Sequence, residues 1–180
     1  MIRVGVIGYG YWGPNLLRNF MELRGTEVIA VSDLRTQRLE HARALYPSVE
    51  ATTDYRDIIR RPDIDAIAVA TPVGTHFSLT IEALKAGKHV LVEKPLAASS
   101  EEARCMIEEA ARRNLVLMVG HIYVYSEAVR KIKEIISEDQ LGEIYYYDSV
   151  RINLGMFQHD VNVIWDLAVH DLSIMDYLLE

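Results

Sequence analysis

Residues 1–15 read MIRVGVIGYGYWGPN, and this stretch decides the fold. Ile2, Val4, Val6 and Ile7 form a short β-rich apolar run, the pattern of a buried strand. Gly8-Tyr9-Gly10-Tyr11-Trp12-Gly13 follows at once, and Leu16, Leu17, Phe20 and Met21 then recur at helical spacing. Strand, then G-x-G-x-x-G, then helix is the order a dinucleotide-binding turn requires. Gly8 permits the tight turn, Gly10 lets a pyrophosphate approach the backbone, and Gly13 lets helix and strand pack closely. Free N–H groups and the positive end of the helix dipole then face the phosphates. Pro14 suits a first helical turn, where its missing N–H is not needed.

A second strand, Glu27 to Ser32, ends at Asp33, 20 residues after Gly13. An acid there accepts the ribose hydroxyls of an adenosine. The plain alternative is a ligand-free βα turn with Asp33 capping a helix; the three-part match favours the ligand. Asp33 favours NAD over NADP, because a 2′-phosphate would sit against a carboxylate, although Arg35 two residues on can accommodate one.

Strands and helices keep alternating. Arg35 to Leu45 reads as a helix, and Asp54 caps a short one through Ile59. Ile64 to Ala70 is a continuous apolar run, counted as the fourth strand, of the kind buried in parallel sheets. Phe77 to Ala86 is a helix stopped by Gly87, and His89 to Val92 is the fifth strand. Ser99 and Glu102 are spaced as a capping box for a helix reaching Arg113, and Leu115 to Val119 is the sixth strand. Repeated βα units with right-handed crossovers give an α/β fold, a doubly wound parallel sheet with helices on both faces. After Gly120 the character changes. Ala128 to Ile136 is an amphipathic helix, Ile144 to Leu154 a long strand-like run, Asn153 to Asn162 a loop and Trp165 to Leu179 a helix. The expected division is a cofactor-binding domain over 1–120 and an incomplete second α/β domain over 121–180, since so few residues with one strand cannot build an independent core.

Half of the 180 residues are apolar, enough for a sizeable core. A net charge of −7 argues against nucleic acid or an anionic membrane surface as partner. The single cysteine, Cys105, excludes an intrachain disulfide and fits a reduced cytoplasmic setting. No signal-peptide pattern and no 18-residue apolar run occurs, so a soluble, intracellular protein is expected.

Ligands of open α/β sheets bind beyond the carboxyl ends of the strands. Two segments lie there. Thr71-Pro72-Val73-Gly74-Thr75-His76 follows the fourth strand, and Glu93-Lys94-Pro95 follows the fifth. The plain alternative for Glu93 and Lys94 is a surface pair contributing under ~1 kcal/mol; their strand-end placement favours function. A third segment, Asp166-Leu-Ala-Val-His170, puts an acid and an imidazole on one helix face at i, i+4. A carboxylate beside an imidazole fixes its orientation and raises its basicity, as a general base needs. From spacing alone the stronger alternative is Asp166 as a helix N-cap with His170 packed on the sheet. No metal is expected, because no second His or Cys joins them at ligand spacing, although His159 and Asp171 are near in sequence.

Taken together, GYGYWG, VSD at Asp33, ATPVGTHF, AGKHVLVEKP and DLAVH resemble the Gfo/Idh/MocA family of nicotinamide-dependent sugar and polyol oxidoreductases. The resemblance covers the whole chain, and EKP with DxxxH is more specific than the glycines. It implies a Rossmann domain followed by an α/β domain with an open, mostly antiparallel sheet. It maps the catalytic group onto Lys94, Asp166 and His170. Cofactor contacts fall on Gly8, Tyr9, Gly10, Tyr11, Trp12, Gly13, Asp33, Leu34, Arg35, Thr71, Pro72, His76, Glu93 and Lys94. RINLGMFQ, Asp160-Val-Asn-Val and HDLSIMDYLL look like the branch acting on nucleotide-linked sugars, such as UDP-N-acetylglucosamine or its uronic acid at C3; Arg151 and Asn153 then face the substrate. His121-Ile-Tyr-Val-Tyr125 departs from the G-x-x-x-R-F of many relatives, with Val124 at the basic position. Family members continue well past the DxxxH helix, so a fragment or truncated product is expected, homo-oligomeric where the second domain is complete. The rival reading is a non-catalytic dinucleotide-binding module, a sensor or partner subunit.

Overall fold

The computed structural model describes residues 1–152 and 161–180. They divide into two compact units, Met1–Val119 and Gly120–Glu180.

The first unit alternates strand and helix throughout. Its elements are β1 (Ile2–Ile7), α1 (Gly13–Glu22), β2 (Thr26–Ser32), α2 (Thr36–Leu45), β3 (Glu50–Thr52), α3 (Tyr55–Ile59), β4 (Ala66–Val69), α4 (His76–Lys85), β5 (His89–Val92), α5 (Ser100–Arg113) and β6 (Leu117–Val119). All strand pairs are parallel, in the order β3-β2-β1-β4-β5-β6. This is the doubly wound order, and the direction of winding reverses between β1 and β4, where such folds open a crevice.

Successive side chains of a strand point to opposite faces, and the core follows that rule. Ile67, Val69, Val90 and Val92 pack with Ile58, Leu79, Leu84 and Met106 from α3, α4 and α5. Val4, Val6, Val28, Val31 and Ala68 pack with Leu17, Leu39 and Ala42 from α1 and α2, Val31 sharing a face with Val28 because the β1–β2 register slips by one residue between them. Helices therefore cover both faces. Asp54 and Ser99 cap α3 and α5 as the spacing predicts, taking the N–H groups of Arg56 and Glu102. The Glu102 carboxylate bonds the Ala98 N–H, one residue ahead of the capping serine. The fourth strand pairs over fewer residues than the apolar run suggests, and the sixth begins at Leu117 rather than Leu115.

The second unit holds a short 3-10 turn (Ile122–Tyr125), α6 (Glu127–Ser137) and α7 (Val169–Leu179). A wider π-type turn, Ile164–Ala168, leads directly into α7, so the expected single α-helix from Trp165 has two geometries. The long strand expected from Ile144 is not formed over its described part: residues 144–152 pair with no ladder. A Tyr/Val/Ile alternation supplies strand propensity but not a partner, and the described residues of this unit offer none. The loop expected from Asn153 lies largely outside the described residues. No helix among the described residues is long and apolar enough to cross a membrane.

Candidate active site

Main-chain bonds continue one residue past the strands and line up the first unit's candidate residues. Gly8 N–H bonds Ser32 O at 2.8 Å, Ala70 N–H bonds Ile7 O at 2.8 Å and Glu93 N–H bonds Val69 O at 2.9 Å. The carboxyl ends of β2, β1, β4 and β5 thus present Asp33, the glycine turn, Thr71 and Glu93 along one rim.

The turn itself is a cradle that side chains would fill. Gly8 has φ of +96°, and a Cβ on Gly13 would lie 2.1 Å from the Gly8 carbonyl oxygen. Only glycine fits where α1 starts against β1, and a helix start of this kind is where a phosphate meets main-chain N–H groups. Asp33 locks the turn from the neighbouring strand: its Oδ2 accepts the Tyr9 N–H at 2.8 Å and its Oδ1 the Arg35 N–H at 2.9 Å. It does not cap α2, whose N-cap position is Arg35. Tyr9 is buried and packs on His41, whereas Tyr11, Leu34 and Arg35 are exposed at the rim. Burial pushes the Tyr9 phenol upward.

Glu93 is half-buried beside the turn, and the Trp12 indole donates to its carboxylate. Burial raises its pKa, against the opposing pull of the Lys94 N–H and the indole. Its Oε1 is enclosed with no hydrogen-bond partner among the described residues. A buried acceptor left open this way is expensive unless a ligand donor meets it. The glycine cradle and this orphaned oxygen both fit a bound dinucleotide.

His76 is placed differently from Thr71 and Pro72. Its ring is 1% exposed, with Nδ1 2.9 Å from the Pro95 carbonyl and Nε2 2.8 Å from the Thr71 carbonyl. It straps the segment after β4 to the segment after β5, acting on the rim through two loops.

In the second unit, Asp166 sits within the π-type turn and His170 in the first turn of α7. Such wide turns are frequent at functional positions. Asn162, rather than Asp166, caps this helix, its Oδ1 accepting the Trp165 N–H at 2.9 Å. His170 is 7% exposed, and the Tyr123 ring meets it edge to face at 4.7 Å between centroids. Arg151 lies over the same Tyr123 ring at 5.2 Å and its Nε bonds Asp171 Oδ2 at 2.6 Å. Ser149 Oγ donates to Asp171 Oδ1 at 2.8 Å. The Arg151 guanidinium holds the Asp171 carboxyl below its usual range, helped by Ser149 and opposed by burial. Arg151, expected at the substrate, is therefore engaged by Asp171, and Asn153 lies outside the described residues. The sequence reading missed Tyr123, the Arg38 guanidinium, whose Nη1 bonds Asp33 Oδ2 at 3.1 Å, and the Trp12–Glu93 bond; Tyr123 had only its place in the HIYVY segment to signal it. Among the described residues no cluster of His, Cys, Asp and Glu could hold a metal ion.

The profile of the GFO_IDH_MocA family, an oxidoreductase family with an NAD-binding Rossmann fold, matches residues 2–121. UDP-N-acetylglucosamine 3-dehydrogenase of Acidithiobacillus ferrooxidans is 31% identical over 181 residues, covering 96% of this chain and 53% of that protein. Myo-inositol 2-dehydrogenase of Thermotoga maritima is 27% identical over 190 residues, covering 99% and 55%. The crystal structure of a probable dehydrogenase from Thermotoga maritima superposes with a TM-score of 0.84 at 27% identity, over 99% of this chain and 55% of that one. The chain spans about half the length of the curated relatives it matches. With the parallel sheet, the glycine cradle and the acid at the end of β2 all in place, the chain belongs to the GFO_IDH_MocA oxidoreductase family, and it carries that family's NAD-binding Rossmann fold.

Proposed function

We propose that the protein is an NAD(H)-dependent dehydrogenase interconverting a secondary alcohol and a ketone on a sugar, with residues 1–120 binding the dinucleotide and 121–180 supplying part of the substrate domain. The substrate we assign is a nucleotide-linked sugar, UDP-N-acetylglucosamine or its uronic acid at C3, from the resemblance of RINLGMFQ and HDLSIMDYLL to that branch. A 3-dehydrogenase of that sugar and an inositol 2-dehydrogenase of Burkholderia multivorans are each 31% identical to the chain, so inositol is the competing substrate in the test. The observation that carries the reading is the glycine cradle with the open Glu93 Oε1 beside it, two features that a ligand-free βα turn does not need. Gly8 to Gly13 hold the pyrophosphate, Asp33 the adenosine ribose, and Thr71, Pro72 and Glu93 the nicotinamide side.

When bound, the nicotinamide supplies a carbon that takes or gives a hydride. The protein's own groups handle the proton. His170 accepts it from the substrate hydroxyl as the carbon–hydrogen bond breaks, Asp166 orients the imidazole, and the Lys94 ammonium stabilises negative charge gathering on the oxygen. In reduction the same groups act in reverse, and His170 returns the proton.

The reading is tested by titrating the chain with NADH by fluorescence, then adding the sugar nucleotide with NAD and following absorbance at the reduced-nicotinamide band. Saturable binding with turnover supports the whole proposal. Binding with no turnover for any sugar nucleotide or inositol leaves the non-catalytic dinucleotide module, and no binding removes both.

A further inference from the structure

Four side chains of the second unit close a ring. The Tyr123 ring meets the His170 imidazole edge to face, with 4.7 Å between centroids and 83° between planes. His170 is buried, whereas Tyr123, from the short turn Ile122–Tyr125, is exposed, so the tyrosine stands on the solvent side of the imidazole. The Arg151 guanidinium lies 5.2 Å from the centroid of the same tyrosine ring and donates to its hydroxyl. Arg151 Nε in turn bonds Asp171 Oδ2 at 2.6 Å, and Ser149 Oγ holds the other carboxylate oxygen at 2.8 Å. Asp171 follows His170 directly in α7, which closes the ring. The Arg151 and Asp171 side chains are both partly buried, so water screens this pair less than an open surface pair.

We propose that Tyr123 is a positioning residue for His170, and that the Arg151–Asp171 pair is the brace that holds Tyr123 in place. The inference rests on the reading of His170 as the base of the proposed dehydrogenase. An imidazole accepts a proton only while one of its nitrogens is aimed at the hydroxyl. A carboxylate partner holds one nitrogen but does not stop the ring from tilting about that bond. An edge-to-face contact does, because the tilt gives up the favoured aromatic geometry. Tyr123 is itself exposed, and its own rotamer freedom opposes staying there. The guanidinium over its ring offsets that freedom, and Asp171 fixes the guanidinium. Since Asp171 and His170 are neighbours on α7, brace and base move together.

The experiment compares the full chain as wild type, Tyr123→Phe, Tyr123→Leu, Arg151→Met and the double variant Tyr123→Leu/Arg151→Met, with circular dichroism confirming that each folds. Turnover of UDP-N-acetylglucosamine and of inositol with NAD is one readout. The other is proton NMR of the imidazole signals, with those of His170 assigned by their absence in His170→Ala. Tyr123→Leu should lower kcat by about 10–10²-fold and change KM by less than about threefold, the pattern of a misaimed reacting group. Tyr123→Phe should stay within about threefold of wild type, because the ring touches the imidazole and the hydroxyl only the brace. Arg151→Met should lower kcat by about three- to tenfold and add nothing to Tyr123→Leu, since it acts through the ring. The Tyr123 ring current should displace the His170 signals in wild type, and the displacement should shrink in Arg151→Met, where the ring is present but unbraced. A loss confined to KM, additive losses in the double variant, or a displacement unaltered in Arg151→Met each overturns the proposal. Wild type that turns over neither substrate removes the reading of His170 as base and the proposal with it, whereas turnover undiminished in Tyr123→Leu removes this assignment alone.

Discussion

The first unit fixes its candidate residues with main chain, and the second fixes them with side chains. Gly8, Ala70 and Glu93 are each tied to the neighbouring strand by a backbone bond, and the residues beneath them, such as Val6, Val31 and Val69, are fully enclosed. In the second unit the enclosed side chains among those described are Val129, His170 and Leu178. There the His170 ring is met by Tyr123, which lies under Arg151, which is paired with Asp171. Tyr145, Tyr146 and Ile152 meanwhile stay 85%, 84% and 93% exposed. The ladder is rigid where these residues sit because β2, β1, β4 and β5 are each paired on both flanks. A ring of long side chains keeps its geometry only while each member stays in one rotamer, against their entropy.

The sharpest way to break this comparison is to strike each side and read different quantities. His170→Ala and Lys94→Met should each cut turnover by about 10²–10⁴-fold, the range removed with a proton-transfer or charge-stabilising group, while NADH still binds. Equal turnover in either variant would remove that residue from the chemistry.

Glycines give the next contrast. Gly13→Ala forces a Cβ to within 2.1 Å of a backbone oxygen, whereas Gly142, with φ of +67°, has nothing within 4 Å of its added Cβ. Gly13→Ala should destabilise the protein by roughly 3 kcal/mol in urea unfolding and lower NADH affinity. Gly142→Ala should cost about 1 kcal/mol, from its positive φ alone, and leave NADH binding intact. Similar losses at both positions would mean that the cradle is no tighter than an ordinary turn.

The same contrast explains what the sequence could and could not say. Parallel βα units announce themselves by apolar runs and caps, which is why Ile2–Ile7, His89–Val92 and the Asp54 and Ser99 caps are legible. Asp65, placed inside the fourth strand by its apolar neighbours, instead spends its carboxylate on the Arg3 guanidinium and N–H, and the ladder starts one residue later. Pairings such as Arg38 with Asp33, or Arg151 with Asp171 across 20 positions, follow no period; each cation reads as an exposed residue until the fold brings its acid near. Residues 144–152 show the converse, a periodicity without the partner strand that would realise it.

Hydrogen exchange tests the rigidity argument directly. Amides of β1 and β4 should exchange at least about tenfold more slowly than those of α6 and α7, corresponding to ~1.4 kcal/mol of local stability. Indistinguishable protection would mean that the two units open as one cooperative body and that the side-chain ring is as firm as the ladder.

The smallest expected effect, and the one that reports on the rim itself, is the pH dependence of Glu93. Burial raises its pKa above the ordinary 4.5, so the folded protein binds that proton more readily than the unfolded chain. Stability linked to Glu93 is then fully present below 4.5 and is lost as pH climbs through the raised folded value, staying flat above it. Glu93→Gln removes this dependence, so wild type should lose stability relative to the variant across that window, measured by urea unfolding at a series of pH values. A bound ligand N–H or O–H on Oε1 favours the charged carboxylate, so NADH should pull the group's pKa back down and release a fraction of a proton on binding. Calorimetry in two buffers of different ionisation enthalpy reads that proton. If the enthalpy does not change with buffer, Glu93 takes no hydrogen bond from the cofactor, and its open oxygen belongs to the fold rather than to the site.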